Sequence, residues 1–143
     1  MKLAQGEYVA LEKVENAYST CPIVAQMYVH GDSLRDHLIA VVVPDLVQLE
    51  VMAAKAGLKG KSPAELAEDK SIKAAIQQAM NKEGKKQGLN GFEMIKNIHV
   101  SLEPFTTENN LLTPTFKVRR RDAYTRYKEE LDRLYELGPP PKL

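Results

Sequence analysis

Apolar and polar positions follow two rhythms along this chain, and the switches between them mark the elements. After a short extended piece, Glu7 to Ala10, Leu11, Val14 and Tyr18 recur at helical spacing, and Pro22 stops the helix. Ile23 to Val29 and His37 to Val43 are rich in β-branched residues and are separated by Gly31-Asp32, which predicts neighbouring strands joined by a hairpin-like connection. Pro44-Asp45 closes the second. Leu46, Leu49, Met52 and Ala53 return to the helical period, with Gly57 as its end. Ser62-Pro63-Ala64-Glu65 is a capping box with proline at the first helical position, so a short helix starts there. A longer helix follows on the stripe Ile72, Ala75, Ile76, Ala79 and Met80. Its polar end runs into Lys82-Glu83-Gly84-Lys85-Lys86-Gln87-Gly88, expected to be solvated.

Ile95 to Ser101 alternates as a strand whose apolar face is set mainly by Ile98 and Val100, and Pro104 ends it. The last helix carries Tyr124, Tyr127, Leu131, Leu134 and Tyr135 on one stripe, with Glu129 four residues before Arg133. These elements predict an α/β (α+β) domain without internal repeats. A short N-terminal hairpin-like element precedes a roughly three-stranded, mainly antiparallel or mixed sheet flanked by helices. The domain is expected over residues 1–138, with 139–143 a proline-rich extended tail.

Composition narrows the function classes. At 143 residues the chain is one domain long and can bury roughly two-thirds of the surface its unfolded form exposes. Its 20 Lys and Arg against 19 Asp and Glu leave a net charge of +1, so it is not built to coat nucleic acid. No apolar run approaches the roughly 20 residues that a membrane span requires, and the chain is expected to be soluble and intracellular. The single cysteine, Cys21, excludes an internal disulfide and reads as a buried structural thiol. His30, His37 and His99 have no second ligand at a zinc-like spacing and read as structural histidines. A GKS-type phosphate loop and a dinucleotide fingerprint are both missing, so this chain alone is not a complete enzyme.

The remaining chemistry lies in Leu111-Leu112-Thr113-Pro114-Thr115-Phe116-Lys117-Val118-Arg119-Arg120. Pro114 fixes its own φ and keeps Thr113 extended, so the segment is a turn-rich excursion that presents Lys117 ahead of the last helix. Lys117, Arg119, Arg120 and Arg121 gather beside a helix amino terminus, where cations oppose the dipole; a phosphate would supply a reason, solvation alone another. At an effective dielectric near 20, a lysine about 4 Å from a phosphate gains roughly 4 kcal/mol before desolvation.

Together with Lys2-Leu3-Ala4-Gln5-Gly6-Glu7-Tyr8-Val9 and the run Glu12-Lys13-Val14-Glu15-Asn16, this segment resembles the carboxy-terminal domain of a long-chain fatty acyl-CoA synthetase of the adenylate-forming superfamily, in its eukaryotic and specifically fungal form. The resemblance runs from Lys2 to about Tyr135. It implies a small lid over a larger amino-terminal domain that binds ATP, fatty acid and Mg2+. In one pose the lid inserts Lys117 toward the carboxylate and α-phosphate. In the other it presents Gly6, Glu7 and Tyr8 to the tunnel through which CoA reaches the acyl-adenylate. Many members carry glycine immediately before that lysine, where Phe116 stands here. The hinge residue expected just before Lys2 is also missing, so the chain reads as an excised lid with an introduced Met1, inactive alone. The loop from Phe105 to Phe116 is expected to be mobile without the surface on which it docks. The alternatives are a stand-alone phosphate or RNA-binding module using Arg119 to Arg121, or a protein-interaction module exposing the tyrosine stripe.

Pro141-Lys142-Leu143 is a weak variant of the Ser-Lys-Leu peroxisomal address, which leaves cytoplasm or peroxisome as the expected location. A fluorescent protein carrying these last residues should collect in peroxisomes of a eukaryotic cell. A diffuse cytosolic signal would remove the idea.

Overall fold

The computed structural model describes residues 1–138; the Pro139-Pro140-Pro141 tail and its Pro141-Lys142-Leu143 end lie outside the described residues. The elements are α1 (Leu11–Tyr18), β1 (Val24–His30), β2 (Leu38–Pro44), α2 (Leu46–Lys55), α3 (Pro63–Glu68), α4 (Lys70–Lys86), β3 (Ile95–Val100) and α5 (Arg120–Leu137). The sheet order is β1-β2-β3, with β1 antiparallel and β3 parallel to β2, so the sheet is mixed. The parallel partner follows from connectivity. A tight turn can only return β2 against β1, whereas α2, α3 and α4 carry the chain back to the starting end of β2 before β3 forms.

Capping residues start the helices of that crossover. Asp45 accepts from the Gln48 amide, Asp69 from Ser71 and Ile72, and Ser62 and Glu65 complete the expected capping box. β2 is the middle strand, and every residue from Leu38 to Pro44 is buried. Its side chains alternate between two cores. Leu38, Ala40 and Val42 meet Val14 and Tyr18 of α1, Leu49 of α2 and Ile72, Ile76 and Met80 of α4. Ile39, Val41 and Val43 meet Tyr127, Leu131, Leu134 and Tyr135 of α5. Each such side chain stabilises the fold by about 1.5–3 kcal/mol relative to leaving it in water.

Covering both faces decides two alternatives against the expectations they rested on. The tyrosine stripe of α5 is core and is not offered to a partner. The sheet has no open face on which aromatic residues could stack bases.

Two further expectations are corrected. The segment from Lys82 to Gly88 is not wholly solvated: α4 continues to Lys86, and Glu83 and Gly84 are buried. A Cβ on Gly84 would stand 2.7 Å from Met94 Sδ, so glycine serves a close approach there. The loop after β3 is anchored at one end by Phe105 and at the other by Leu111 and Leu112, all buried against α5. Gln26 holds Phe105 as a strand would: its Nε2 donates to the Phe105 carbonyl at 2.9 Å, and the Phe105 amide donates to its Oε1 at 2.7 Å. These anchors leave the stretch from Thr113 to Lys117 as the projecting part. On α5 the i, i+4 ion pair is Lys128 with Asp132, at 3.1 Å, one turn position from the expected Glu129 and Arg133.

Cys21 is buried, and that burial pushes its thiol pKa up, away from reactivity. His30 shares a 3.0 Å hydrogen bond with the Tyr28 hydroxyl and stacks on Tyr124, and burial lowers its pKa. His99 lies beside Tyr127 and is lowered for the same reason. His37 Nδ1 meets Asp36 at 2.7 Å, whereas its buried Nε2 has no partner.

The outer edge of β1 is closed by side chains. Glu15 Oε2 accepts the Val29 amide at 2.8 Å, and Arg120 Nη1 donates to the Val29 carbonyl at 3.3 Å. Arg120 also grips Glu15 with two bonds, 2.6 Å and 3.0 Å, so α1, β1 and the start of α5 meet at one charge pair. Removing Glu15 takes the counter-charge from the Arg120 guanidinium, which keeps only the Val29 carbonyl, and the acceptor from the Val29 amide. Glu15→Ala should therefore cost about 2–3 kcal/mol in urea unfolding, and Arg120→Ala less, because the Val29 amide keeps its acceptor. Equal losses would show that the amide bond contributes nothing.

Candidate functional site

Lys117 stands on a tight hairpin. Leu112 bridges Val118, the Thr113 amide donates to the Lys117 carbonyl at 2.8 Å, and the Phe116 amide donates to the Thr113 carbonyl at 2.8 Å. Thr113 Oγ1 accepts the Lys117 amide at 3.1 Å, and the Arg119 amide closes the base on Leu111. This is a four-residue turn, Thr113 to Phe116, whose last residue is left-handed, a loop that matches strand twist and ordinarily takes glycine at that position. Here that residue is Phe116, at φ +64° and 77 % exposed. Glycine would meet this conformational demand without strain. Phe116 meets the same demand at a cost of about 1–2 kcal/mol.

The segment holding the other sequence-predicted residues is the same device. Lys2 bridges Tyr8, the Leu3 amide donates to the Glu7 carbonyl at 2.8 Å, the Gly6 amide donates to the Leu3 carbonyl at 2.9 Å, and Gly6 has φ +99°. The Val9 amide donates to the Met1 carbonyl at its base. Gly6 therefore matches Phe116 in the turn, and Glu7 matches Lys117. A Cβ on Gly6 would meet only Lys2 Cε, at 3.8 Å, so conformation and not crowding within the domain asks for glycine there. Tyr8 is exposed, with Lys2 Nζ 5.6 Å from its ring centre. This hairpin rests on the β1–β2 connection, where the Ala4 amide donates to the Arg35 carbonyl and Gln5 Nε2 to that of Asp36.

The two hairpins reach the body of the domain at different places. Lys117 leans over α1, its Nζ 3.7 Å from Glu12 Oε1 with both side chains about two-thirds exposed, whereas Gly6 and Tyr8 sit against the β1–β2 turn. Glu12 and Glu15 lie three apart on one face of α1. With Gln26 and Met27 of β1 and Phe116 and Val118 of the hairpin they line a groove of about 430 Å³. The cations beside α5 divide by role. Arg120 is committed to Glu15, Arg119 pairs with Asp122 at 3.0 Å, and Lys117 alone of the three projects from a turn. Glu12 and Glu15 are the partners that sequence reasoning missed. Their i, i+3 spacing was a visible signal; the pairing of Glu15 with a residue 105 positions away was not. Among the described residues no group of three potential metal-ligating side chains gathers, and no helix is long and apolar enough to cross a membrane.

Comparison with known proteins agrees with this geometry. No protein-family profile matches the chain. It is 50 % identical over 135 residues to long-chain-fatty-acid–CoA ligase 5 of Mus musculus, and 46 % identical over 138 residues to the peroxisomal long chain acyl-CoA synthetase 6 of Arabidopsis thaliana. These matches cover 94 % and 96 % of this chain but 20 % of each relative, so the chain spans about one-fifth of their length. Among solved structures, the adenylation domain of a Mycobacterium chelonae carboxylate reductase superposes with a TM-score of 0.80 at 35 % identity, over 95 % of this chain and 19 % of that one. The adenylation domain of a Segniliparus rugosus carboxylic acid reductase, determined with AMP and a carboxylic acid, superposes at 0.78 and 36 % identity, over 96 % of this chain and 20 % of that one. The fold is that of a fragment of these adenylate-forming domains. Over almost its whole length the sequence is similar to about one-fifth of the length of these long-chain fatty acid–CoA ligases.

The turn makes a direct prediction about Gly6. Gly6→Ala should destabilise by about 1 kcal/mol in urea unfolding, and Gly6→Asn by less, because asparagine tolerates positive φ. Equal costs would mean that the left-handed turn is not retained in solution.

Proposed function

We propose that residues 1–138 are the carboxy-terminal lid of a long-chain fatty acid–CoA ligase (AMP-forming), with 139–143 a tail beyond it. The observation that carries this reading is Lys117 itself: a cation on the tip of a hydrogen-bonded hairpin with buried anchors, its ammonium paired among the described residues with one exposed carboxylate. Such a pair is worth about 0–1 kcal/mol, so a substrate anion displaces Glu12 readily. The partner is the amino-terminal domain of the same protein, which would hold ATP, the fatty acid and Mg2+.

Adenylation brings two anions together. A carboxylate oxygen attacks the α-phosphorus, an acyl–phosphate bond forms, and pyrophosphate leaves with the electrons of the broken P–O bond. A preorganised ammonium in a water-poor site stabilises the charge that builds up where these groups meet. In the second half-reaction the CoA thiol loses its proton, its sulfur attacks the acyl carbonyl, and AMP departs. There the lid would present Gly6, Glu7 and Tyr8 to the pantetheine arm. Gly6 adds no side chain at its own position in that turn, and Tyr8 offers an exposed ring beside it. The Thr-Pro-Thr-Phe-Lys form and relatives from mouse and Arabidopsis support a eukaryotic ligase. A peroxisomal location draws support from the name of the Arabidopsis relative.

In the full-length enzyme, Lys117→Ala should lower adenylation, read as pyrophosphate exchange, on the order of 10²-fold, and leave thioester release from supplied acyl-adenylate nearly intact. Gly6→Leu should do the reverse. Gly6→Asn controls for the turn and should fall between Gly6→Leu and the parent. If Lys117→Ala and Gly6→Leu impair the same half-reaction equally, the two-pose assignment is wrong.

A further inference from the structure

Phe116 occupies a position that its own backbone does not want filled by a large side chain. Its φ of +64° lies in the left-handed region, where any Cβ crowds the following carbonyl. The fold contains its own control: the same turn, with the same pair of backbone hydrogen bonds, is built at residues 3–7 with glycine at the matching position. Turn formation therefore does not require Phe116. Core packing does not require it either. The ring is 77 % exposed, whereas the flanking Leu112 is buried and Val118 packs against the core. An aromatic ring that strains its backbone and covers little of its own domain points to a contact outside it.

We propose that Phe116 is a positioning residue that docks the hairpin into an apolar socket on the domain that holds the fatty acid, at the mouth of the acyl site. This rests on the lid reading above. Adjacent residues stand about 3.8 Å apart at their Cα atoms, so a ring seated in such a socket fixes where the next residue can place its amine. The hairpin fixes the Lys117 backbone, but its side chain is flexible and among the described residues is paired only with Glu12, which is as exposed as it is. A long-chain acyl substrate requires apolar walls, and those walls end where the carboxylate meets the phosphate. A ring beside the ammonium matches that boundary: Phe116 seats on the apolar side while Lys117 reaches the charge. Closure is then selected by burial of the ring, and the lysine arrives already oriented.

The test uses the full-length ligase with Phe116→Gly, Phe116→Leu and Lys117→Ala, assayed for pyrophosphate exchange and for thioester release from supplied acyl-adenylate. If the ring serves only the turn, glycine is the better residue and Phe116→Gly should equal or exceed the parent. The proposal expects instead that Phe116→Gly lowers the exchange rate about 10-fold or more and leaves thioester release unchanged, while Phe116→Leu, which keeps an apolar side chain, recovers most of the loss. Exchange at the parent rate in Phe116→Gly overturns the proposal, as does an equal loss in both half-reactions or no recovery with leucine. Parent-like exchange in Lys117→Ala overturns the lid reading itself, and an intact Phe116→Gly beside an impaired Lys117→Ala overturns only the socket.

Discussion

The burial of β2 on both faces is the constraint from which the rest follows. A strand with no solvated side needs a layer above and a layer below, and α1 with the three-helix crossover supplies only the first. The second comes from α5, at the far end of the chain. The long excursion between β3 and α5 exists because the chain must cross from one face of the sheet to the other. It does so around the outer edge of β1, where Gln26 holds Phe105 and Arg120 meets Glu15 and Val29. The hairpin that lifts Lys117 out of the surface sits inside this crossing, so the presentation of the lysine depends on the same packing that completes the core.

One backbone solution is used twice, with opposite decoration. The hairpins at residues 1–9 and 111–119 share their bridge, their turn hydrogen bonds and their left-handed residue, yet one carries glycine and then glutamate, the other phenylalanine and then lysine. A rigid, tight tip keeps its geometry when the surrounding domain rotates as a body, which suits groups that must be delivered to two places in turn. The body between them is held by the Glu15 and Arg120 pair, whose partial burial makes it costly to break.

Local signals carried much of this into the sequence. The Ser62 to Glu65 capping box and the apolar stripes each describe a few neighbouring residues and lie where they are expected, save that Leu46 of the α2 stripe is exposed. The parallel pairing of β3 was left open because periodicity records which face a residue takes, not which strand lies beside it. Gly84 reads as part of a solvated segment, and only Met94 and Tyr18 packed against it show why glycine stands there inside a helix. The loop from Phe105 to Phe116 reads as polar because its anchors are three residues among many. Lys117 was legible as a projecting residue; its parking place on Glu12 was not, because that contact joins α1 to a hairpin a hundred positions later.

Two cations three residues apart therefore differ in how firmly this domain owns them. Arg120 is gripped by two bonds at a partly buried carboxylate, whereas Lys117 touches a single oxygen at 3.7 Å in open solvent. Dissolved ions treat the two pairs differently. At 0.1 M salt the screening length is about 10 Å, which weakens an exposed pair far more than a partly buried one. Ionic strength is thus a selective solvent for this surface: it loosens the lysine from its resting place while the arginine keeps the hairpin mounted.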